Sequence, residues 1–439
     1  MGSGSVPNTD DSGLVARVLA ATGNRDRVLD AVKAAALLAV VVGHSLAWHI
    51  TPAGSAVNVL ELNPGLRVLT WIFQVLPLFF AAGAVSNAAS LGRTDPAHFR
   101  LRRTRRLVTP VLVYATFWTV VLLPLGLFSD QVVGAGRFLS QLLWFAGVYT
   151  LVVVAAPVTR RWASRPLLTL AVWFCVICLV DAARIAGAPS AIGWLNLLLV
   201  WGWLHQLGYS LPQLRQAPRS FTGMGALLAL GAALALALLG PYSTSLVTIG
   251  GDPELSNLSP PSVVLALYGC AQVLALAAVW PVLAKALSHD RFWSIVALVG
   301  ARGMGIYLWH IPLVGVAAGI ALATGWSVAP LSLAWWLVHV AVVVVVVPLA
   351  WLIAGVAARG ESRVNRLPRW FGLPPLLVGL AAGFIILNIS VTGFATWLGA
   401  GMLGLPSTAL ANLAALVLCW QATSRMRTRG PVDAPAPAS

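Results

Sequence analysis

Apolar runs of about twenty residues recur along the chain, separated by short polar segments. They cover roughly residues 31–50, 67–90, 107–126, 138–157, 167–186, 191–211, 222–240, 262–284, 303–324, 332–356, 372–395 and 404–422. At about 1.5 Å per residue, such a run crosses the ~30 Å hydrocarbon core of a bilayer as a helix. The pattern therefore predicts an all-α, polytopic transmembrane helix bundle with twelve candidate spans. The sixth run and the last two are the least sharply bounded, with Pro374, Pro375 and Pro406 at the edges of the last pair.

The polar segments between the runs test this count. With the N-terminus on the cytoplasmic side, 25 of the 28 lysines and arginines fall in cytoplasmic segments. Only Arg67, Arg137 and Arg184 fall outside. Cytoplasmic loops are enriched in Lys and Arg, and a miscounted span would scramble the ratio after the error. Both termini are thus expected in the cytoplasm. Residues 1–24 are small and polar, without the short apolar core and cleavage site of a signal peptide, and read as a cytoplasmic tail. The Pro- and Ala-rich end, 423–439, reads as a disordered cytoplasmic tail. The longest outer loop is expected near 241–261.

Composition agrees with the pattern. The chain has 439 residues, of which 59% are hydrophobic and 9% charged, and its mean hydropathy is +0.86. A soluble domain carries about 25% charged residues, so a soluble protein is excluded. The net charge of +15 reflects asymmetry across a bilayer rather than nucleic-acid binding. Arginine outnumbers lysine 26 to 2 amid abundant Ala, Leu, Val and Gly. That bias points to a GC-rich bacterial genome, and so to a bacterial plasma membrane.

Three patches carry candidate chemistry. The first is Leu29-Asp30-Ala31-Val32-Lys33, which leads into an apolar helix bearing His44. Lys33 and His44 are 11 residues apart. That is nearly three turns at about 100° each residue, so the two lie on one helix face roughly 16 Å apart. An ionisable group inside a span is costly and marks a functional site by default, and a neutral imidazole suits removal of a hydroxyl proton. The second patch runs from Phe99 to Pro110 and holds Arg100, Arg102, Arg103, Arg105 and Arg106 at the lip of the third span. Arg103 and Arg106 stand at i, i+3, and arginine forks grip phosphate bidentately. The third is Tyr307-Leu308-Trp309-His310, with Tyr307 and His310 at i, i+3 and Pro312 just beyond.

Other features read as structural. His49 is expected at the interface, and His205 and His339 lack polar neighbours in sequence. Asp181 and Arg184 form a possible i, i+3 pair. Cys175-x-x-Cys178 lies inside a span with no second pair, so no metal or redox role is assigned. None of the 13 acids lies at the middle of a predicted span, which argues against ion-coupled transport. Neither a Walker-type phosphate loop nor a zinc-protease motif occurs.

In this order, the patches resemble the acyltransferase type 3 family of integral membrane acyltransferases. Leu29, Asp30, Lys33 and His44 resemble its opening box, and Pro77-Leu78-Phe79-Phe80-Ala81-Ala82-Gly83 its second-span run, with Ala82 where serine is common. Arg103, Arg106 and Pro110 match its arginine pair before a proline. Gln141-Leu142-Leu143-Trp144-Phe145 resembles a His-Leu-Trp-Phe box, and Tyr307-Leu308-Trp309-His310 a late aromatic–histidine box.

The resemblance implies a ten-span acyltransferase core at residues 25–356 and an extension of about two spans at 357–422. It implies transfer of an acyl group from a cytoplasmic acyl-CoA, a donor substrate rather than a bound cofactor, to a hydroxyl of a glycan, lipid or small molecule. His44 would be the catalytic base, supported by Lys33 and Asp30. Arg102, Arg103 and Arg106 would handle the donor, and Tyr307 and His310, beside Trp309, are candidate oxyanion donors. The alternative is a transporter or flippase for a lipid or acylated metabolite.

Overall fold

The computed structural model describes residues 26–250 and 255–424. The expected N-terminal tail, part of the long outer loop and most of the expected C-terminal tail lie outside the described residues. The protein is a helix bundle, with two short hairpins among the described residues. Among the described residues, ten helices are long and apolar enough to cross a membrane, and the chain is a multi-pass membrane protein.

Those ten correspond to all the predicted runs except the sixth and the twelfth. The sixth run contains a helix of only 14 residues, Leu195–Gly208, and the twelfth one of 13, Ala409–Gln421. Hydropathy sums apolar content over a window and does not register where the helical ladder breaks. A further helix, Asp290–Ala301, occupies a segment expected to be loop.

Contacts divide the chain into two compact units that interleave in sequence: residues 1–92 with 155–360, and 93–154 with 361–439. In the first unit, α1 (Arg27–Leu46) is capped by Asp26, whose carboxylate accepts from the backbone N–H groups of Val28 and Leu29. One turn of helix thereby loses two orphan donors. After Leu46 the chain forms an antiparallel hairpin, β1 (Trp48–Ile50) and β2 (Ala56–Asn58), with His49 opposite Val57. The apolar run predicted to 50 is therefore a helix only to 46. The second run breaks at Gln74 and Val75 into α2 (Arg67–Phe73) and α3 (Leu76–Leu91).

In the second unit, α4 (Pro96–Leu122) begins at Asp95, which accepts from the His98 N–H, with Pro96 in the first turn. Pro110 lies inside α4 and removes the N–H that would meet the Arg106 carbonyl. Next come α5 (Asp130–Ser140) and α6 (Leu143–Trp162), whose first part, to Val154, belongs here.

The first unit then resumes with α7 (Pro166–Ile185), α8 (Leu195–Gly208), α9 (Arg219–Leu239), α10 (Val263–Ala286), α11 (Asp290–Ala301), α12 (Gly303–Ala323) and most of α13 (Leu333–Arg366). Gly208 of α8 is pressed on the backbone of Ala81, where any Cβ would collide. That close approach lets Trp201 stack on Phe80, ring centroids 4.8 Å apart. Val41 of α1, Ile306 and Val314 of α12, and Val346, Ala350 and Ala354 of α13 form one buried cluster. The second unit ends with the last turns of α13, then α14 (Pro375–Thr392) and α15 (Ala409–Gln421), both packed on α4.

The expected Asp181–Arg184 pair is present at 2.7 Å and nearly fully buried. Asp181 also accepts from Asn196, Tyr242 and the N–H of Val263, while Arg184 donates to the carbonyls of Ser256 and Pro261. Burial, and then the Asp181 carboxylate, push the Tyr242 phenol well above its ordinary value, so it remains a donor. Every lone pair of a buried carboxylate that is matched this way lowers the penalty of its burial. The network ties Tyr242, Ser256, Pro261 and Val263 to α7 and α8.

Candidate active site

The site is built on α1. Its N-terminal end is held by Arg27 to Asp290 at 3.0 Å and by Asp26 to Arg215 at 3.2 Å. Asp30 is half-buried in the first turn. One turn on, Lys33 donates to the Ser86 hydroxyl of α3 at 2.6 Å, and Ser86 donates to the Ala82 carbonyl. Ser86, four residues past the position where the resembled motif carries serine, is a functional candidate that the sequence reading missed.

His44 lies in the last turn of α1. The Val41–Ile306 packing sets α1 against α12 one turn from both histidines. The result is a pair: His44 Nδ1 and His310 Nε2 are 3.1 Å apart, with the rings stacked at 5.3 Å and 22°. His310 is fully buried, and its Nδ1 meets the Tyr307 carbonyl at 2.8 Å and the Ile306 carbonyl at 3.2 Å. Carbonyls only accept, so His310 Nδ1 carries the proton. In the neutral ring, Nε2 is then the acceptor. It follows that His44 Nδ1–H donates to His310 Nε2, and the lone pair of His44 is left on Nε2. A backbone carbonyl of α12 thus fixes the tautomer of a ring on α1 through one intermediate imidazole.

This arrangement changes the expectation for His310. Both of its nitrogens are engaged, Nδ1 with the Tyr307 and Ile306 carbonyls and Nε2 with His44. Tyr307 is buried, its ring tilted against His310 at 6.2 Å, and Trp309 is half-buried.

The arginine patch lines a cavity within the second unit, about 470 Å³ in volume, an ordinary size for a ligand pocket. Arg102, Arg105 and Arg106 line it, together with His98, Leu101, Thr109 and Pro110 of the same helix. Glu361, Asn365 and Thr423 complete it. Arg103 is not among the lining residues; its guanidinium lies 5.6 Å over the Phe99 ring. The i, i+3 spacing therefore does not bring Arg103 and Arg106 to one wall. Arg105, passed over in the sequence reading, takes the place expected for Arg103. Its Nε donates to Asn365 Oδ1 at 3.0 Å. Thr423, expected in the tail, is buried.

His205 and His339, expected to be structural, find polar partners across the bundle. His205 is buried and meets Asn87 at 3.1 Å, and His339 meets the carbonyls of Trp335 and Trp48 at 2.8 and 2.9 Å. Polar company comes from residues distant in sequence. His49, in β1 beyond the end of α1, is buried. Burial and the nearby His339 hold its imidazole below the ordinary value.

With this geometry in view, the comparison with known families is direct. The acyltransferase 3 family, described as an acyltransferase domain, matches residues 26–355, and the chain belongs to that family. The protein is thus a membrane acyltransferase. No curated protein and no solved structure matches the chain.

Proposed function

We propose that the protein is a membrane-bound O-acyltransferase that moves an acyl group from a cytoplasmic acyl-CoA to a hydroxyl of a glycan, lipid or small molecule. The observation that carries this reading is the His44–His310 pair. It leaves one imidazole lone pair, on His44 Nε2, available to a substrate proton. The acceptor hydroxyl gives its proton to Nε2 as its oxygen attacks the thioester carbonyl. The tetrahedral oxyanion collapses, the C–S bond breaks, and the proton passes to the departing thiolate. Orientation of a base by a second group is the logic of nucleophile activation in general. Here the second group is neutral. The Tyr307 hydroxyl and the Trp309 indole N–H are the remaining oxyanion-donor candidates, with Lys33 and Asp30 organising the entry of α1.

Arg102, Arg105 and Arg106 are assigned to the phosphates of the donor, and Arg103 to packing beside them. Guanidinium forks grip phosphate bidentately, and these three line one cavity. The charge distribution along the sequence supports both termini, and the arginine run, on the cytoplasmic side of a bacterial plasma membrane.

The test uses purified protein with a panel of labelled acyl-CoA donors and hydroxyl acceptors. Acyl transfer by the wild type, abolished by His44→Ala with CoA binding retained, is the expected result. Near-normal transfer by a well-expressed His44→Ala variant would overturn the base assignment. Acceptor flux across proteoliposomes without ester formation would favour the transport reading instead.

A further inference from the structure

The arginine cavity is not complete within the family-matched residues. The match ends at 355, and Glu361, Asn365 and Thr423 lie beyond it. Asn365 makes the decisive contact. By accepting from Arg105 Nε at 3.0 Å it occupies the one guanidinium N–H nearest the helix, leaving the Nη1–Nη2 edge of the fork for a ligand. Thr109 locks the arrangement. Its hydroxyl lies 2.9 Å from the Arg105 carbonyl and 3.4 Å from Asn365 Oδ1, and it accepts from the Trp420 indole at 3.2 Å. Trp420, on α15, is also outside the match. Above it, at 5.7 Å, lies Arg369, whose Nη1 is buried without a hydrogen-bond partner among the described residues. A buried guanidinium nitrogen lacking an acceptor is an unmet demand for an anion.

We infer that the C-terminal segment is a working wall of the donor site, with Asn365 as the positioning residue that turns the Arg105 fork toward a phosphate. The segment is then part of what selects the donor rather than an appended membrane anchor. This rests on the donor reading of the arginine cavity given above.

The experiment measures coenzyme A binding and acyl-CoA kinetics on monodisperse, detergent-solubilised full-length protein. The variants are Asn365→Ala, Arg105→Gln and the double variant, with Arg102→Gln and Arg106→Gln as tests of the cavity itself. Loss of a charge-assisted hydrogen bond predicts about tenfold weaker CoA binding for Asn365→Ala. The loss should fall on KM for the donor rather than on kcat, and the double variant should be no worse than Arg105→Gln alone, because one side chain acts through the other. Unchanged CoA binding in Asn365→Ala, or additive losses in the double variant, would overturn the positioning role while leaving the donor site in place. If Arg102→Gln, Arg105→Gln and Arg106→Gln all bind CoA normally, the donor reading itself fails, and this inference with it. Asn365 is half-buried, beside half-buried Val364 and exposed Arg366, so its substitution leaves the fully packed positions intact; an unchanged unfolding temperature checks this.

Discussion

A single carbonyl, that of Tyr307, decides the chemistry available at His44. It fixes the proton on His310 Nδ1, and His310 in turn fixes the proton on His44 Nδ1. Replacing His44 by Ala should cost about 10²–10⁴-fold in kcat/KM, the usual worth of a general base. His310→Ala should cost less, because His44 keeps its lone pair and loses only its orientation. His310→Gln should recover part of that loss, since its amide oxygen can accept from His44 Nδ1–H; equal activity of the two His310 variants would contradict the relay. His44 stood out in the sequence because an imidazole deep in an apolar run is costly to keep in hydrocarbon. The role of His310 was not, because its partner is 266 residues away and spacing reports only one helix at a time. The buried Asp181 network makes a separate prediction. Asp181→Ala leaves the Arg184 guanidinium buried without its carboxylate, which should lower unfolding stability by about 3–5 kcal/mol in a detergent melt.

Among the elements, α1 and α8 are the most exacting. Asp26 caps α1 and also pairs with Arg215, so Asp26→Ala should cost about 1 kcal/mol from the cap alone, measured as a shift in unfolding midpoint. Gly208 sits against the backbone of Ala81, which cannot give way as a side-chain tip could. Gly208→Val should therefore destabilise by about 1–3 kcal/mol through overpacking between α3 and α8; an unaltered midpoint would refute so close a contact. Most helices were predictable because lipid requires long apolar runs whatever the tertiary fold. What hydropathy missed were the interruptions and short pieces: the break at Gln74, the short α8, and α11, an apolar helix too short to cross. Each depends on where a neighbour supplies hydrogen bonds or bulk. Trp71 and Gln74, for example, donate to the carbonyls of Thr244 and Leu246 far along the chain.

For the whole molecule, the order of segments in sequence is a poor guide to their grouping in space. The sequence reading divided the chain linearly, into a core at 25–356 and an extension at 357–422. The family match at 26–355 follows that core, while the contacts add a different grouping, of 93–154 with the described residues from 361 to 424. Hydropathy could not reveal this, because a window along the chain carries no information about which helices pack together; α4 is separated from α14 and α15 by more than 200 residues of sequence. Gly147 and Gly383 show how tight the joining is: a Cβ added to either would press on the carbonyl oxygen of the other, at 2.9 and 3.2 Å. A chain cut after Gly360 should accordingly lose CoA binding and monodispersity, although it retains all the residues that match the family; size-exclusion chromatography in detergent measures the second effect directly.

The neutral histidine pair has one more consequence, for electrostatic bookkeeping within the bilayer. A base oriented by a carboxylate would hold a permanent negative charge in the low-dielectric interior, where an isolated ion is strongly penalised. Two imidazoles and a peptide carbonyl hold none. In the proposed reaction, positive charge on His44 and negative charge on the oxyanion arise together and vanish together. The resting site is uncharged, and the only ionic state is a contact dipole that lasts as long as the tetrahedral intermediate. Turnover, more than folding, should then respond to how polar the surrounding membrane is.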